Sequence, residues 1–320
     1  MILVTGGAGF IGSLLIKELN DSGRQDIVVV DRLREGQKWL NLRDVKFDEF
    51  IHADELFDGS NDEVLQDVTA IFHMGACSAT TERDVDYLMR NNVLYSQNLF
   101  HLALQKNIPF IYASSAATYG AGEQGYNDDL EKIKDLKPLN PYGWSKQLFD
   151  EWVLRQKEKP THWFGVKFFN VYGPNEAHKD NMRSLVHKAY GQILETGKVK
   201  LFKSHKEGFK DGEQLRDFVY GRDVARALVK MMDKKLCSSS GIYNMGTGRA
   251  RSFLDLMKAT FKAMGKEENI EFIDMPMSIR NQYQYFTEAN MEKFSKLLPD
   301  FKWSSVEDGV EDYVKNYLMK

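Results

Sequence analysis

Four apolar runs in the first half of the chain leave few ways for it to fold: ILVT (2–5), DIVVVD (26–31), AIFHMGA (70–76) and PFIYASS (109–115). Each is continuous rather than alternating, the pattern of a strand buried on both faces. Helical stretches separate them. Ile11, Leu14, Leu15 and Leu19 mark one apolar face, and a longer stretch runs from about Glu82 to Gln105. A further run, HWFGVKFFNVYG, follows at 162–173. Strands alternating with helices predict an α/β fold with a doubly wound parallel (Rossmann) sheet. After Gly173 the rhythm loosens. SLVHKAYGQILETG reads as a helix, KVKLF as a strand, and KSHKEGFKDGEQL (203–215) as an exposed, mobile loop. The chain is therefore divided into a sheet domain over 1–170, with 216–243 returning to it, and a smaller α/β domain over 171–320.

The 320 residues carry a net charge of −3, which gives no broad surface for nucleic acid and no polybasic membrane patch. Cys77 and Cys237 are the two cysteines, without C-x-x-C spacing, so two reduced thiols and no metal site are expected. The start MILVTGGAGF has no basic segment before a long apolar stretch, and no run approaches the ~18 apolar residues of a membrane span. A cytoplasmic protein is expected.

TGGAGFIG (5–12) joins the first strand to the first helix. Gly7, Gly9 and Gly12 take G-x-G-x-x-G spacing, and Gly6, Gly9 and Gly12 take TG-x-x-G-x-x-G spacing. Such a pattern is weak alone and gains specificity from this strand–turn–helix context. Glycines let backbone N–H groups approach a pyrophosphate, and the helix dipole favours it there. Asp31 ends the second run, where a carboxylate about 20 residues on accepts from ribose hydroxyls and favours NAD. Arg32, Arg34 and Lys38 follow at once and would balance a 2′-phosphate; the alternative for each is a solvated loop charge. NADP is the expected cofactor, with NAD left open, so the sheet domain becomes an NADP-binding one.

YASSAATYG (112–120) carries Ser114 and Ser115, and NPYGWSK (140–146) carries Tyr142 and Lys146, four apart on one helix face. With 14 tyrosines a Y-x-x-x-K pair is a weak signal, but this one follows a strand that ends at the carboxyl edge of the sheet, where ligands bind. Oxidising an alcohol needs a base to take the hydroxyl proton as hydride leaves. A tyrosine, ordinarily near pKa ~10, must fall by about 3 units, or ~4 kcal/mol, to do so near neutrality. A neighbouring lysine and a cationic nicotinamide favour the phenolate in a poorly solvated pocket. Ser115 would hold the substrate oxygen. The plainer alternative is a packed aromatic and a strand-end hydroxyl.

PNEAHKDNM (174–182) holds one lysine, Lys179, which read alone is a surface charge. A resemblance changes that. TGGAGFIG, YASSAATYG, NPYGWSK, FNVYGP, RDFVYGRDVA (216–225) and NMGTGRARSF (244–253) together resemble the extended short-chain dehydrogenases/reductases that act on nucleotide sugars, over nearly the whole chain. GACSATTE (75–82), GPNEAHKDNM and YQYFTEANM (283–291) are similar to the ADP-glyceromanno-heptose 6-epimerases among them. The resemblance implies an isomerase that inverts C6″ of ADP-D-glycero-β-D-manno-heptose through a 6″-keto intermediate. It also implies tightly bound NADP, a place in lipopolysaccharide core biosynthesis and a homo-oligomer, a pentamer. Inversion needs proton transfer on two sides of the ketone. Tyr142 serves one side, and Lys179, a buried lysine with a lowered pKa, is expected to serve the other. His178 beside it is expected only to position.

By the same resemblance, cofactor contacts fall at Phe10, Ile11, Asp31, Arg32, Lys38, Asn91, Lys146, Val171 and Lys179, and along the loop Met74, Gly75, Ala76, Cys77 and Ser78. Substrate contacts fall at Ser115, Asn170, Asn181 and Lys188, at Phe202, Lys203, Ser204 and His205, and at Arg216 and Tyr283. Arg216 suits a diphosphate, the alternative being an arginine tied to Asp217 or Asp223. The chain departs from the pattern at Ala53, where other members carry a lysine, at Asn181 and Lys188, where serine and histidine are frequent, and in a longer 205–215 loop. Rival readings are another nucleotide-sugar epimerase or a reductase on this scaffold, and a catalytically silent dinucleotide-binding protein.

Overall fold

The computed structural model describes residues 1–280 and 283–320. Its strands in chain order are β1 (Ile2–Thr5), β2 (Ile27–Asp31), β3 (Glu49–His52), β4 (Ala70–His73), β5 (Phe110–Ser115), β6 (Trp163–Phe168), β7 (Asn170–Tyr172), β8 (Val199–Phe202), β9 (Leu215–Arg216), β10 (Phe218–Tyr220), β11 (Gly241–Met245), β12 (Arg251–Ser252) and β13 (Ile270–Ile273). The main helices are α1 (Phe10–Asp21), α2 (Tyr95–Lys106), α3 (Pro141–Arg155), α4 (Leu185–Thr196), α5 (Gly221–Met231), α6 (Phe253–Ala263) and α7 (Val306–Tyr313).

Seven parallel strands form the main sheet in the order β11, β6, β5, β4, β1, β2, β3. Every residue of β1, β2 and β4 is buried, as continuous apolar runs require when both faces are covered. Leu15, Ile16, Val224 and Leu228 from α1 and α5 pack on one face. Phe100, Ala103, Phe149 and Val153 from α2 and α3 pack on the other. The order reverses at β1, which lies between β2 and β4, and ligands of such sheets bind outside the carboxyl ends at that point.

The run read as one strand over 162–173 divides at Phe169. β6 stays in the main sheet, while β7 pairs with β10 in a separate ladder. A third core gathers Val186, Ile193, Leu201, Met257, Phe261, Val310 and Tyr313 from α4, β8, α6 and α7. The carboxyl ends of the main sheet thus face β7 and the loops beyond it. Among the described residues, no helix is long and apolar enough to cross a membrane.

Candidate active site

The glycine turn after β1 is closed by contact rather than by hydrogen bonds alone. At Gly6, φ is +67°, and a Cβ there would lie 2.6 Å from the Gly75 backbone. At Gly12 a Cβ would lie 2.1 Å from the Gly6 carbonyl oxygen. Only glycine lets the turn fold onto itself and against the loop after β4. Gly9 caps α1 with no side chain, so the helix presents bare amides at its amino end. Asp31 at the end of β2 is buried. Its carboxylate accepts from Ala8 N (2.9 Å) and Arg32 N (2.7 Å) and pairs with Lys38.

The cations after Asp31 are mostly engaged. Arg32 pairs with Asp54, and Arg34 donates to the Tyr87 hydroxyl at 2.7 Å. These residues, with His52, Arg90 and Asn91, line an open cleft of about 620 Å³. Ala53 is buried beside it, so no lysine reaches in from that position. The loop Met74 to Ser78 is held at both ends. Met74 N and Gly75 N donate to Thr5 (3.1 and 3.2 Å), and Cys77 exchanges two bonds with the buried Asn92 (2.8 and 3.0 Å). Asn91 and Asn92 lie in a π-helical turn, Met89–Leu94, that no spacing in the sequence announces.

One wall of the expected catalytic site is built from β5 and α3. Asn140 caps α3 by accepting from Gly143 N at 2.8 Å, and Pro141 sets its first turn, which places Tyr142 and Lys146 one turn apart. Lys146 is buried and donates to Ala113 O of β5 at 2.8 Å. Desolvation brings its pKa down to about 8, with Asp150 and Cys77 opposing. Ser115 ends β5. Its hydroxyl accepts from Ala117 N at 3.1 Å and so caps the short turn Ala116–Tyr119. The sequence led us to expect a lowered pKa at Tyr142. Instead burial pushes the phenol up, because desolvation penalises its anion more than the Ser115 hydroxyl favours it.

The other wall is the loop after β7. Lys179 lies in a short turn, Ala177–Met182, with Nζ 5.4 Å from the centre of the Phe10 ring at the start of α1. Burial lowers its pKa, with Glu176 opposing. Phe10, Ile11 and Val171 share one apolar cluster, so three of the expected cofactor contacts meet here. Glu176, itself buried, accepts from Ser184 N and Ser184 Oγ (the latter at 2.6 Å) and ties the turn to α4. The Asn41 side chain donates to Ala8 O (2.9 Å) and Asn175 O (3.0 Å), while Asn175 donates to Ser13 Oγ (3.0 Å). His178 faces Asn41 at 3.2 Å. Burial and the nearby Lys38 and Lys179 bring its pKa down to about 4, so it is a neutral imidazole at pH 7.

Arg216 is buried with neither of the carboxylates considered for it. Asp217 accepts from Thr247 N, Gly248 N and Ala289 N, and Asp223 pairs with Arg226 and Ser304 N. Arg216 instead donates to Leu215 O (2.8 Å) and Gln284 O, between the rings of Phe253 and Tyr283, each centred 5.4 Å away. Gln284 in turn donates to Gly120 O, at the end of the Ser115 loop. Phe202 meets Tyr283 edge to face. The 203–215 loop is tethered more than its composition suggested. Ser204 N donates to Asp211 (2.7 Å), His205 N to the Tyr285 hydroxyl (3.0 Å), and Lys203 pairs with Asp274 (3.5 Å). Asn170 and Asn181 are exposed, and the Lys188 ammonium donates to Asn181 O at 2.6 Å. Reading the sequence missed Asn41, Arg90, Asn92, Glu176 and Gln284.

The pattern of the NAD dependent epimerase/dehydratase family matches residues 2–246. Among curated relatives, the chain is similar to the ADP-L-glycero-D-manno-heptose-6-epimerase of Fusobacterium nucleatum subsp. nucleatum. The two are 51% identical over 329 residues, covering 100% of this chain and 98% of that one. The protein of the same name from Nitratidesulfovibrio vulgaris is 47% identical over 319 residues, covering 99% of this chain and 98% of its own. Among solved structures, that of the Helicobacter pylori ADP-L-glycero-D-manno-heptose-6-epimerase superposes with a TM-score of 0.82 at 32% identity, over 98% of this chain and 95% of that one. UDP-glucuronic acid 4-epimerase from Bacillus cereus, in complex with UDP-glucuronic acid and NAD, superposes with a TM-score of 0.77 at 26% identity, over 98% and 99%.

Proposed function

The chain belongs to the NAD dependent epimerase/dehydratase family, among its ADP-L-glycero-D-manno-heptose-6-epimerases, and from that premise we propose that it inverts C6″ of ADP-D-glycero-β-D-manno-heptose. The observation that carries the reading is a half-buried tyrosine and a half-buried lysine supplied by two separate segments. Tyr142 stands on α3, and Lys179 stands on the turn against Phe10.

The carboxyl ends of β1 and β2 suit a nicotinamide dinucleotide. The bare amino end of α1 and the glycine contacts leave backbone amides for a pyrophosphate, and Asp31 is placed for a ribose. We take it to be NADP, its 2′-phosphate met by Arg34 and Arg90 in the cleft, because Arg32 and Lys38 are already paired with carboxylates. When bound, the dinucleotide accepts and returns a hydride, and its cationic ring eases the formation of a phenolate nearby. The protein's own groups do the rest. Ser115 holds the substrate oxygen, and Tyr142 moves the proton on it. Lys146, held to Ala113 O, supplies positive charge behind the phenol. Lys179 moves the proton when the ketone presents its opposite face, and burial, by lowering its pKa, lets it release one more readily than a solvated lysine does. Arg216 is buried without a carboxylate and offers a forked donor to the substrate's diphosphate. The free thiols Cys77 and Cys237 suit a reducing cytoplasm.

Incubation with ADP-D-glycero-D-manno-heptose, followed by NMR at C6″, tests this. The L-glycero epimer should accumulate with no net change in absorbance at the NADPH band. No epimer, or steady consumption of added NADPH, would refute the reading and favour a reductase.

A further inference from the structure

Behind the Ser115–Tyr142 wall lies a charge pair for which the chemistry above has no use. Lys167 on β6 and Asp150 on α3 are wholly buried, with Nζ 2.6 Å from Oδ2. Two buried charges are tolerated only when further hydrogen bonds satisfy them, and an apolar pair of similar volume is often as stable or more so. Here the further bonds exist, and they run towards the pocket. Asp150 also accepts from Ser114 Oγ (2.7 Å) and the Tyr112 hydroxyl (3.0 Å). Lys167 also donates to Thr118 Oγ1 (2.7 Å), and Thr118 donates to Ser115 O (2.8 Å).

Ser115 is therefore fastened from both sides. Its neighbour in β5, Ser114, is bonded to Asp150. The turn that follows it is bonded through Thr118 to Lys167. Asp150 lies one turn beyond Lys146, which lies one turn beyond Tyr142, and Lys146 itself grips Ala113. Three consecutive β5 residues, 113 to 115, are thus tied to the tyrosine helix or to the charge pair. An apolar filling would hold the helix on the sheet but could not make these directed bonds.

We propose that Lys167 and Asp150, acting through Thr118 and Ser114, are positioning residues that fix Ser115 against Tyr142 and Lys146. The inference rests on the roles given to those three residues above. None of the four touches substrate. Their effect should fall on turnover and spare binding, since small misplacements of a reacting group cost rate steeply.

Two holoenzymes test it beside the wild type. Thr118→Val removes one hydroxyl and keeps the shape. Lys167→Met combined with Asp150→Leu removes both charges together. In each, kcat should fall about 10- to 100-fold while KM and bound cofactor stay within about twofold, and the double variant should melt lower than the wild type, because the buried Ser114 and Tyr112 hydroxyls lose their acceptor. Amide exchange over 115–119 should quicken about tenfold, with β4 unchanged. A folded double variant that turns over within about threefold of wild type overturns the proposal, as does unchanged exchange over 115–119. If the double variant does not fold, Thr118→Val decides alone. If the wild type fails to epimerise the heptose, the substrate reading falls, while the exchange measurement, which needs no substrate, still decides the positioning.

Discussion

The two walls of the proposed site hold their expected reactive groups by different means. On the β5–α3 wall, Ser115, Tyr142 and Lys146 ride on regular elements, whose backbone bonds are made within the strand ladder and the helix. On the opposite wall, Lys179 rides on a short turn with Asp180 at φ 47° and ψ −119°, and its shape is imposed by side chains from other segments. Glu176 fastens it to Ser184, Asn41 to the glycine turn, and Asn175 to α1. Regular elements give precision cheaply, because spacing is built into the backbone. A loop gives it only through long-range bonds, each of which can be removed singly. That asymmetry fits a reaction in which one proton-transfer group must be fixed and the other has to meet a ketone presented from its second face.

The largest effects should come from the reactive groups themselves. Tyr142→Phe and Lys179→Ala should each lower turnover by about 10²- to 10⁴-fold, the range for loss of a positioned acid or base. Cofactor should stay bound in both. Loss on one wall only would break the symmetry of roles: near-normal epimerisation by Lys179→Ala would leave that loop a binding element.

Glu176→Ala probes how the second wall is held. It leaves Ser184 N and Oγ without their acceptor and costs about 1–3 kcal/mol, so the melting temperature should fall by several degrees. Because Glu176 also fixes the Lys179 turn, kcat should fall about 10-fold or more beyond what lost folding explains. Unchanged kcat in the folded fraction would show that the turn keeps its shape without this carboxylate.

The same asymmetry decided what could be read from the sequence. Glycine, tyrosine and lysine spacings on a strand–turn–helix unit survive in one dimension, so the glycine turn, Ser115, Tyr142 and Lys146 could be placed in advance. The bonds of the loop wall do not survive so. Asn41 reaches Asn175 across 134 residues, and no periodicity relates them. Arg90 lines the open cleft, and Asn92 holds the Cys77 loop, from a π-helical turn whose register a 3.6-residue pattern misplaces. At Phe169 the chain leaves one strand and enters the next without a glycine or proline to mark the change.

Acidity separates the walls further. The Lys146 pKa lies at about 8, below its ordinary value of 10.5, so the folded protein holds this proton less tightly than the unfolded chain does. Folding stability should therefore rise as pH climbs from about 8 towards 10.5, as the penalty for a buried ammonium is relieved. Turnover should move the other way and decline above about pH 8, because the positive charge behind Tyr142 is lost. A kcat profile measured beside thermal melts at each pH checks both signs. A flat profile up to pH 10 would mean that cofactor and substrate hold the Lys146 proton in place.

The smallest expected effect is the one that joins the walls. Asn41 donates to Ala8 O in the glycine turn and to Asn175 O in the lysine loop, so one amide couples the glycine turn to the loop that carries Lys179. Asn41→Ala removes two neutral hydrogen bonds, each contributing about 0.5–1.5 kcal/mol. Cofactor retention and kcat should each drop about 3- to 10-fold, and they should drop together. A fall in kcat beyond about 100-fold with cofactor fully retained would show that Asn41 serves the lysine loop alone, which would make that wall as dependent on a single side chain as the other is on its backbone.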